Sequence, residues 1–453
     1  MSIETVPGTE LKYYLIAYHK NGEERDDDRD GLMSQVALDA LVTDGTEPVT
    51  DVFIISHGWK GDTPAAKEQY NRWIKAMADC TDDIERMREK RPGFRPLIIG
   101  FHWPSLPWGD EELGGSGNSF EMNAAIGVDL AKAQPAAPSL EEMIDLYAGR
   151  IADTPRARTA LRTILESASR DIAPEKMPPE VTQAYMVLDE EADLGVDGEA
   201  AAPGDDREQF NPSFSYEAAR ADAVSFGFFD FDNLLSPLRQ LSFWKMKKRG
   251  RKIGETGGFA LLKKLQQKEG AEKVRFHLMG HSFGCIVVSG ILGGPDAQGT
   301  LVRPVNSVML AQGALSLWSY CSDIPHAQGN PGYFHRIIDT GKVSGPIVTT
   351  QSRLDTAVGR IYPLGAGIAR QVDFPAGEFP KYGGLGAFGA QGPGLQIQDQ
   401  RMKPTSEGYG FQGGTIYNLE SSQFIKDGGG ASGAHNDIAK PEVAHAFWEA
   451  ALT

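Results

Sequence analysis

The residues of this chain best suited to chemistry lie at positions 280–284, which read Gly-His-Ser-Phe-Gly. An alternating run, VRFHLM, precedes them and is typical of a strand, while the small and apolar residues 285–292 are typical of a buried helix. A serine on a sharp turn between a strand and a helix is held in a strained conformation that exposes its hydroxyl. Any Cβ at Gly280 or Gly284 would collide across that turn. The pattern therefore predicts Ser282 as an attacking oxygen nucleophile.

The motif Gly-x-Ser-x-Gly is not decisive by itself, because it also arises by chance in a chain with 52 glycines. Its alternative interpretation is an ordinary turn between a strand and a helix. An acyl-transfer enzyme also needs backbone N–H groups directed at a developing oxyanion, together with a base and an acid that orients the base. The interpretation of Ser282 depends on whether the rest of the chain supplies these groups.

A candidate for the oxyanion-binding corner follows an early apolar strand, DVFIIS, which runs directly into His57, Gly58 and Trp59. Gly58 allows the backbone to turn closely, so we expect the Trp59 amide to be one oxyanion donor. We expect the second donor to be the amide of Phe283, the residue directly after the nucleophile. The alternative is a His-Gly turn that binds no ligand.

The acid that orients the imidazole is expected after the nucleophile, at the C-terminal end of a later strand. Asp355 meets this condition because it follows the apolar run PIVTTQ, and Asp323 is its competitor beyond the preceding strand. Only two of the nine histidines follow Asp355: His435 in a Gly-Ala-His-Asn loop, and His445 within the predicted last helix. We predict Asp355 as the acid and His435 as the base, with His445 as a half-buried helix residue.

Strands and helices alternate along much of the chain and are expected to position these residues. Apolar runs predict strands at residues 12–19, 51–56, 96–102, 274–279, 305–312, 346–351 and 415–419. Helical patterns occupy residues 65–91 and 441–452, and residues 374–414 have the composition of a long glycine-rich loop. Short apolar runs without alternation suit parallel strands that helices cover on both faces, so the predicted class is α/β.

The strand pattern breaks over residues 106–270, which are predicted to be an insertion between two strands of one sheet. Residues 140–170 and 234–270 have helical patterns, whereas the acidic residues 189–206 are typical of disorder. We predict that the chain divides into three parts, residues 1–105, 106–270 and 271–453. The first and third parts are expected to form one core, and the insertion to cover the site as a lid. The alternative is an insertion that only decorates the surface.

Composition argues against several other classes of protein. The net charge of −16 argues against a nucleic-acid partner, which would favour a basic face. The three cysteines are few and scattered, which does not suggest a disulfide framework or a zinc site. The chain begins without a basic segment and a following apolar one, and it has no run of about 18 apolar residues. These features predict a cytoplasmic protein, with signal-less export as the alternative.

The chain order Ser282, Asp355, His435 is that expected of α/β-hydrolases, and differs from the orders in chymotrypsin and subtilisin. With the residues around Ser282 and the corner at His57, the chain resembles α/β-hydrolases of the serine esterase or lipase kind. The resemblance covers roughly residues 10–105 and 270–453, and not the insertion. It implies a mostly parallel sheet of about eight strands with helices on both faces, and neither a metal nor an organic cofactor.

The resemblance also implies a serine hydrolase that cleaves a carboxylic ester through a Ser-His-Asp triad and an acyl-enzyme. The apolar side chains of Trp59, Trp103 and Phe283 favour a small-molecule or lipid ester with an apolar group. The residues expected to contact the substrate are His57, Gly58, Trp103 and His281. An acyltransferase or amidase would use the same triad, and a non-catalytic binding protein could keep the fold. The sequence does not determine the oligomeric state.

Three other patterns have simpler interpretations. Residues 384–389 spell Gly-x-Gly-x-x-Gly, but they neither follow a clear strand nor open a helix, so dinucleotide binding is not expected. The acidic run 26–30 resembles the start of a calcium loop, yet Ala37 stands where that loop needs a glutamate. The basic residues 245–252 are expected to form a solvated helix face, with contact to an anionic membrane surface as the alternative.

Overall fold

The structure is a computed structural model that describes residues 3–26, 31–42, 48–59, 63–105, 139–194, 202, 206–218, 234–361, 379–428 and 432–453. The chain divides into two compact units. The first unit consists of Met1–Leu106, Asp197–Asp206 and Lys247–Thr453, and the second of Pro107–Val196 and Arg207–Met246. The first unit contains Ser282, Asp355, His435 and the corner at His57. Residues 247–270, which the pattern assigns to the insertion, belong to the first unit as well.

Among the described residues of the first unit, nine strands form one sheet. They are β1 (Ile3–Thr5), β2 (Lys12–Ala17), β3 (Asp51–Ser56), β4 (Pro96–His102), β5 (Arg275–His281), β6 (Ser307–Ala311), β7 (Ile347–Gln351), β8 (Ile397–Arg401) and β9 (Ile416–Glu420). Their order across the sheet is β1-β2-β4-β3-β5-β6-β7-β9-β8. Strand β1 pairs antiparallel with β2, and all the other pairs are parallel. The predicted α/β class with a mostly parallel sheet is confirmed.

Helices connect most of these strands. They are α1 (Met33–Ala40), α2 (Thr63–Asp79), α3 (Thr81–Lys90), α4 (Leu140–Arg150), α5 (Pro155–Arg170), α6 (Pro179–Ala192), α7 (Ser236–Ile253), α8 (Phe259–Gln267), α9 (Gly284–Gly293), α10 (His335–Asp339), α11 (Leu385–Phe388) and α12 (Pro441–Leu452). A π-helical turn, Gly254–Gly258, joins α7 to α8, and a second π turn spans Ala357–Ile361. Residues 212–218 are helical too, and Pro295–Ala297 form a short 3₁₀ turn.

Strand β3 shows why a continuous apolar run becomes a central strand. All of its residues are buried, so both of its faces are covered. Phe53 belongs to the hydrophobic core that Trp73 of α2 and Trp448 of α12 complete. Because side chains alternate along a strand, Ile54 points to the opposite face, and helix α9 packs against β3 and β5. Every residue of α9 is buried, as its small and apolar sequence predicts.

The structure corrects several predicted elements. The helix expected over residues 65–91 is two helices, α2 and α3, separated at Cys80. The predicted loop 374–414 contains β8 and α11. Strand β8 has the sequence IQDQR and is half-exposed, and β1 is similarly exposed, so neither edge strand carries an apolar signal.

The second unit contains α4, α5 and α6. The pattern over residues 140–170 forms two helices, because Ser139 caps α4 and the Thr154 side chain caps α5 just before Pro155. Leu161 and Leu188 are among the side chains buried within this unit. Of the residues predicted to be disordered, 189–192 end α6, whereas 195–201 and 203–205 lie outside the described residues.

Two further predictions concern surfaces. None of the described helices is both long and apolar enough to cross a membrane. The basic run 245–252 lies in α7, but Lys247 is buried and its ammonium group contacts the Asp206 carboxylate at 3.1 Å. Lys247 is therefore not part of a solvated basic face, which corrects that part of the expectation. The acidic run 26–30 lies largely outside the described residues.

Candidate active site

Ser282 lies between β5 and α9, in the turn that the sequence predicts. Its φ of +56° is in the left-handed region, which costs a non-glycine residue about 1–3 kcal/mol. A Cβ at Gly280 would lie 2.4 Å from the Gly284 carbonyl oxygen, and a Cβ at Gly284 would lie 2.3 Å from the Ser56 carbonyl oxygen. Both contacts are with backbone, which cannot yield easily, so both positions require glycine. The backbone N–H of Ser282 donates to Ala311 at 3.1 Å and ties the turn to the end of β6.

The side chains of Ser282, His435 and Asp355 form a continuous hydrogen-bonded chain. The His435 Nε2 lies 2.8 Å from the Ser282 Oγ, and the His435 Nδ1 lies 2.7 Å from the Asp355 Oδ2. Because a carboxylate only accepts, Nδ1 carries the hydrogen, and Nε2 offers a lone pair to the serine hydroxyl. Ser282 is only 6% exposed, less than the turn alone predicts, since the imidazole lies against its hydroxyl.

The three groups meet because parallel strands end at one edge of the sheet. Ser282 follows β5, Asp355 follows β7, and His435 follows β9. The backbone N–H of Ala434 donates to the Leu354 carbonyl oxygen at 2.9 Å, which fixes the histidine loop against the aspartate loop. Strands β3 and β5 are neighbours in the sheet. The strand that follows β3 in the chain, β4, lies on one side of this pair, and the strand that follows β5, β6, lies on the other side. Ligands of open α/β sheets bind in the crevice at such a reversal of strand order.

Gln312 is a member of this site that the sequence does not reveal. Its Nε2 donates to the Asp355 Oδ2 at 2.8 Å, so that oxygen accepts from both Gln312 and His435. The Gln312 Oε1 accepts from the Thr350 hydroxyl at 2.9 Å, and the Thr350 Oγ1 accepts from the Gln312 backbone N–H at 2.9 Å. Gln312 is fully buried with a φ of +46°. The backbone N–H of Val358 completes the arrangement by donating to the Asp355 Oδ1 at 2.9 Å.

The two competing residues lie elsewhere. The Asp323 carboxylate accepts from the backbone N–H of Gly329 in an exposed loop turn and has no hydrogen bond to His435 among the described contacts. His445 is fully buried rather than half-buried, and its Nδ1 lies 2.8 Å from an Asp83 carboxylate oxygen. Neither residue joins the hydrogen-bonded chain at Ser282.

A cluster of Asp83, His445 and Glu449 has the residue types of a metal site. The His445 Nδ1 faces Asp83, and its Nε2 lies 3.0 Å from the Glu407 carbonyl oxygen. Both partners are acceptors, so both ring nitrogens carry hydrogens and neither has a lone pair for a metal. Burial opposes the charged ring, but the bonds to Asp83 and Glu407 outweigh it and raise the pKa of His445. The arrangement is an internal ion pair.

A cleft of about 600 Å³ lies beside that ion pair. Arg86, Lys90, Phe411 and Glu449 are among the residues that line it. None of the predicted site residues lines it, and Arg86 and Glu449 form an ion pair with each other. The cleft is therefore separate from the site at Ser282.

The corner after β3 lies directly against Ser282. A Cβ at Gly58 would be 2.6 Å from the Ser282 Cβ and 3.2 Å from its Oγ. The Trp59 and Phe283 rings stack with centroids 5.6 Å apart. The structure thus brings the two residues whose amides are predicted oxyanion donors close to Ser282 and to each other. Their role toward an oxyanion stays a prediction.

The other residues predicted to contact a substrate are mostly interior. His57 and Trp103 are buried, and the Trp103 indole N–H donates to the His57 carbonyl oxygen at 3.0 Å. His281 is buried too, and its Nε2 donates to the His435 carbonyl oxygen at 2.9 Å. These side chains support the loops around Ser282, and their predicted contact with a substrate stays a prediction.

No protein-family model, curated protein or solved structure matches this chain.

Proposed function

We propose that this protein is a serine hydrolase with an α/β-hydrolase fold that cleaves a carboxylic ester, with Ser282 as nucleophile, His435 as base and Asp355 as acid. The observation that carries the proposal is the hydrogen-bonded chain of these three side chains, with the serine in a strained turn. The mostly parallel sheet and the chain order Ser, Asp, His support the same class.

Acylation follows from the tautomer of His435. The Ser282 oxygen attacks the ester carbonyl carbon while its proton passes to the His435 Nε2, and the carbonyl π electrons move onto oxygen. The Asp355 carboxylate stabilises the resulting imidazolium through Nδ1. The oxyanion then collapses, the carbon–oxygen bond to the alcohol breaks, and the alcohol oxygen takes the proton from His435. The products of this half-reaction are an alcohol and an acyl-enzyme.

Deacylation repeats these steps with water. His435 removes a proton from water as the water oxygen bonds to the acyl carbon. The bond to the Ser282 Oγ then breaks, and that oxygen recovers the proton from His435. The free carboxylic acid leaves, and the enzyme returns to its starting protonation state. An alcohol in place of water would give acyl transfer through the same groups.

The oxyanion of both steps requires donors that are already in place. We propose the backbone N–H groups of Trp59 and Phe283, because Trp59 follows Gly58, which lies against Ser282, and Phe283 follows Ser282 itself. A peptide N–H in a buried site needs no reorganisation. The half-buried Trp59 ring stacks on the buried Phe283 ring beside the nucleophile, which favours an ester with an apolar acyl or alcohol group.

Hydrolysis of a series of nitrophenyl esters of increasing acyl length tests the proposal. The wild type is expected to turn over at least one ester, and Ser282→Ala to reduce kcat by about 10⁴- to 10⁶-fold. Ser289→Ala is the matched control, because Ser289 is also a buried serine but bonds to Tyr320 instead of a histidine. Equal hydrolysis by wild type and Ser282→Ala would overturn the proposal, and turnover of no ester would favour a binding protein.

A further inference from the structure

The carbonyl group of Gly58 is held by two side chains. The His57 Nδ1 lies 2.8 Å from the Gly58 oxygen, and the Ser105 hydroxyl donates to the same oxygen at 3.0 Å. In a trans peptide the N–H points opposite to the C=O, and no described peptide bond is cis. Fixing the Gly58 carbonyl therefore also fixes the direction of the Trp59 N–H, which belongs to the same peptide group.

The hydrogen bonds determine the tautomer of His57. A carbonyl oxygen only accepts, so the His57 Nδ1 must carry the hydrogen and the neutral ring has its lone pair on Nε2. The His102 Nδ1 lies 2.9 Å from this Nε2 and donates to it. The remaining His102 nitrogen, Nε2, then accepts and faces the Thr63 hydroxyl at 3.4 Å. A directed chain of hydrogen bonds thus runs from Thr63 through His102 and His57 to Gly58.

Both imidazoles of this chain are neutral. Burial, with a smaller contribution from His102, lowers the pKa of His57 to about 3. Burial, followed by the nearby charges of Arg25 and Lys67, lowers the pKa of His102 to about 4. The ring tautomers are therefore set by hydrogen bonding and do not change near neutral pH.

The backbone of His57 is anchored as firmly as its ring. Its N–H donates to the Tyr70 hydroxyl at 3.1 Å, and that hydroxyl donates to the Phe101 carbonyl oxygen at 2.7 Å. Its carbonyl oxygen accepts from the Trp103 indole. With the residue fixed at both ends, the ring nitrogen and the Gly58 oxygen have little freedom to separate.

We propose that His102 and His57 are positioning residues that orient the Gly58–Trp59 peptide, so that the Trp59 N–H faces the oxyanion formed at Ser282. The inference rests on the proposed function. The Trp103 backbone N–H also donates to the His57 Nε2, but at 3.4 Å against 2.9 Å for His102. Without the N–H of His102 only this longer bond opposes the other neutral tautomer of His57, which then becomes populated. Its Nδ1 lone pair would then face the Gly58 oxygen, and the repulsion would turn the peptide away. His102 thereby acts on the reaction through the His57 ring and the Gly58–Trp59 peptide, and does not itself contact the substrate.

A matched pair of substitutions at His102 tests this proposal. Asparagine places an amide N–H near the position of the histidine Nδ1, whereas leucine has the same shape without a donor. His102→Leu is expected to lower kcat by about 10²-fold, the cost of one oxyanion donor, with little change in KM. His102→Asn is expected to retain most of the wild-type kcat. Rates are normalised to the serines titrated by an organophosphate that releases one nitrophenol per site.

Affinity for a trifluoromethyl ketone gives a second measure, because its adduct with a serine carries an oxyanion. This affinity is expected to fall in His102→Leu and to persist in His102→Asn. Equal losses in both variants, or a wild-type kcat in His102→Leu, would overturn the inference. Should His102→Leu fail to fold, His57→Leu removes the donor to the Gly58 oxygen directly and His57→Asn supplies an amide donor in its place. Equal kcat in these two variants would overturn the inference. Equal hydrolysis by wild type and Ser282→Ala would instead refute the proposed function itself.

Discussion

Replacing Gln312 by methionine is expected to weaken catalysis without touching Ser282 or His435. Methionine has the length of glutamine but cannot donate a hydrogen bond. The Asp355 Oδ2 therefore loses its 2.8 Å bond from Gln312 and keeps the one from His435. A hydrogen bond to a charged group contributes about 1.5–3 kcal/mol. If that amount is lost from the transition state, where the imidazolium needs a fixed carboxylate, kcat falls by about 10- to 150-fold.

Kinetics with a nitrophenyl ester measure this effect, and Thr350→Val provides its control. Thr350 bonds to Gln312 but not to Asp355, so valine removes neighbouring hydrogen bonds and leaves the donor to the carboxylate. Both variants are expected to lose about 1–3 kcal/mol in free energy of unfolding, because each leaves buried polar groups unpaired. Only Gln312→Met is expected to lose the larger part of kcat.

Two outcomes would refute this reasoning. A wild-type kcat in Gln312→Met would show that the carboxylate is held well enough by His435 and the Val358 amide. An equal fall of kcat in Thr350→Val and Gln312→Met would show that the loss comes from general disturbance of the strand ends. In either case Gln312 would have a structural role only.

Two further predictions concern the acid and the buried ion pair. Asp355→Asn is expected to lower kcat by about 10⁴-fold, while Asp323→Asn stays near wild type; the reverse result in the ester assay would reassign the acid. The pKa of His445 is raised above its ordinary 6.5, so its pairing with Asp83 stabilises the fold fully below about pH 6.5 and is lost as pH rises through the folded-state pKa. Urea unfolding is therefore expected to show a larger loss of stability for His445→Gln at pH 5.5 than at pH 9.5, and equal losses would contradict this account.

The central strands were predictable because they are buried on both faces. A sequence such as DVFIIS has no solvent-facing side, so hydrophobicity alone identifies it. The edge strands β1 and β8 were not predictable, since IQDQR owes its conformation to pairing with β9 and not to its own apolar residues. The break between α2 and α3 at Cys80 was not predictable, because no proline or glycine marks it in the sequence.

The residues that meet at Ser282 were predictable only where chemistry restricts the choice. Only His435 and His445 follow Asp355, and the position of His445 within the predicted last helix leaves His435 as the base. Gln312 carries no motif, and its contact with Asp355 arises from the pairing of β6 with β7. The contact between His57 and His102 likewise depends on β3 lying beside β4. Such supporting residues follow from tertiary structure and cannot be located from spacing along the chain.

Mass spectrometry of the protein after reaction with a fluorophosphonate tests the central claim most directly. A serine activated by a histidine is expected to form one covalent adduct, and the modified peptide is expected to contain Ser282. Ser282→Ala should form no adduct, and Ser289→Ala should react like the wild type. Absence of an adduct in the wild type, or an adduct that persists in Ser282→Ala, would contradict the assignment of Ser282 as the nucleophile.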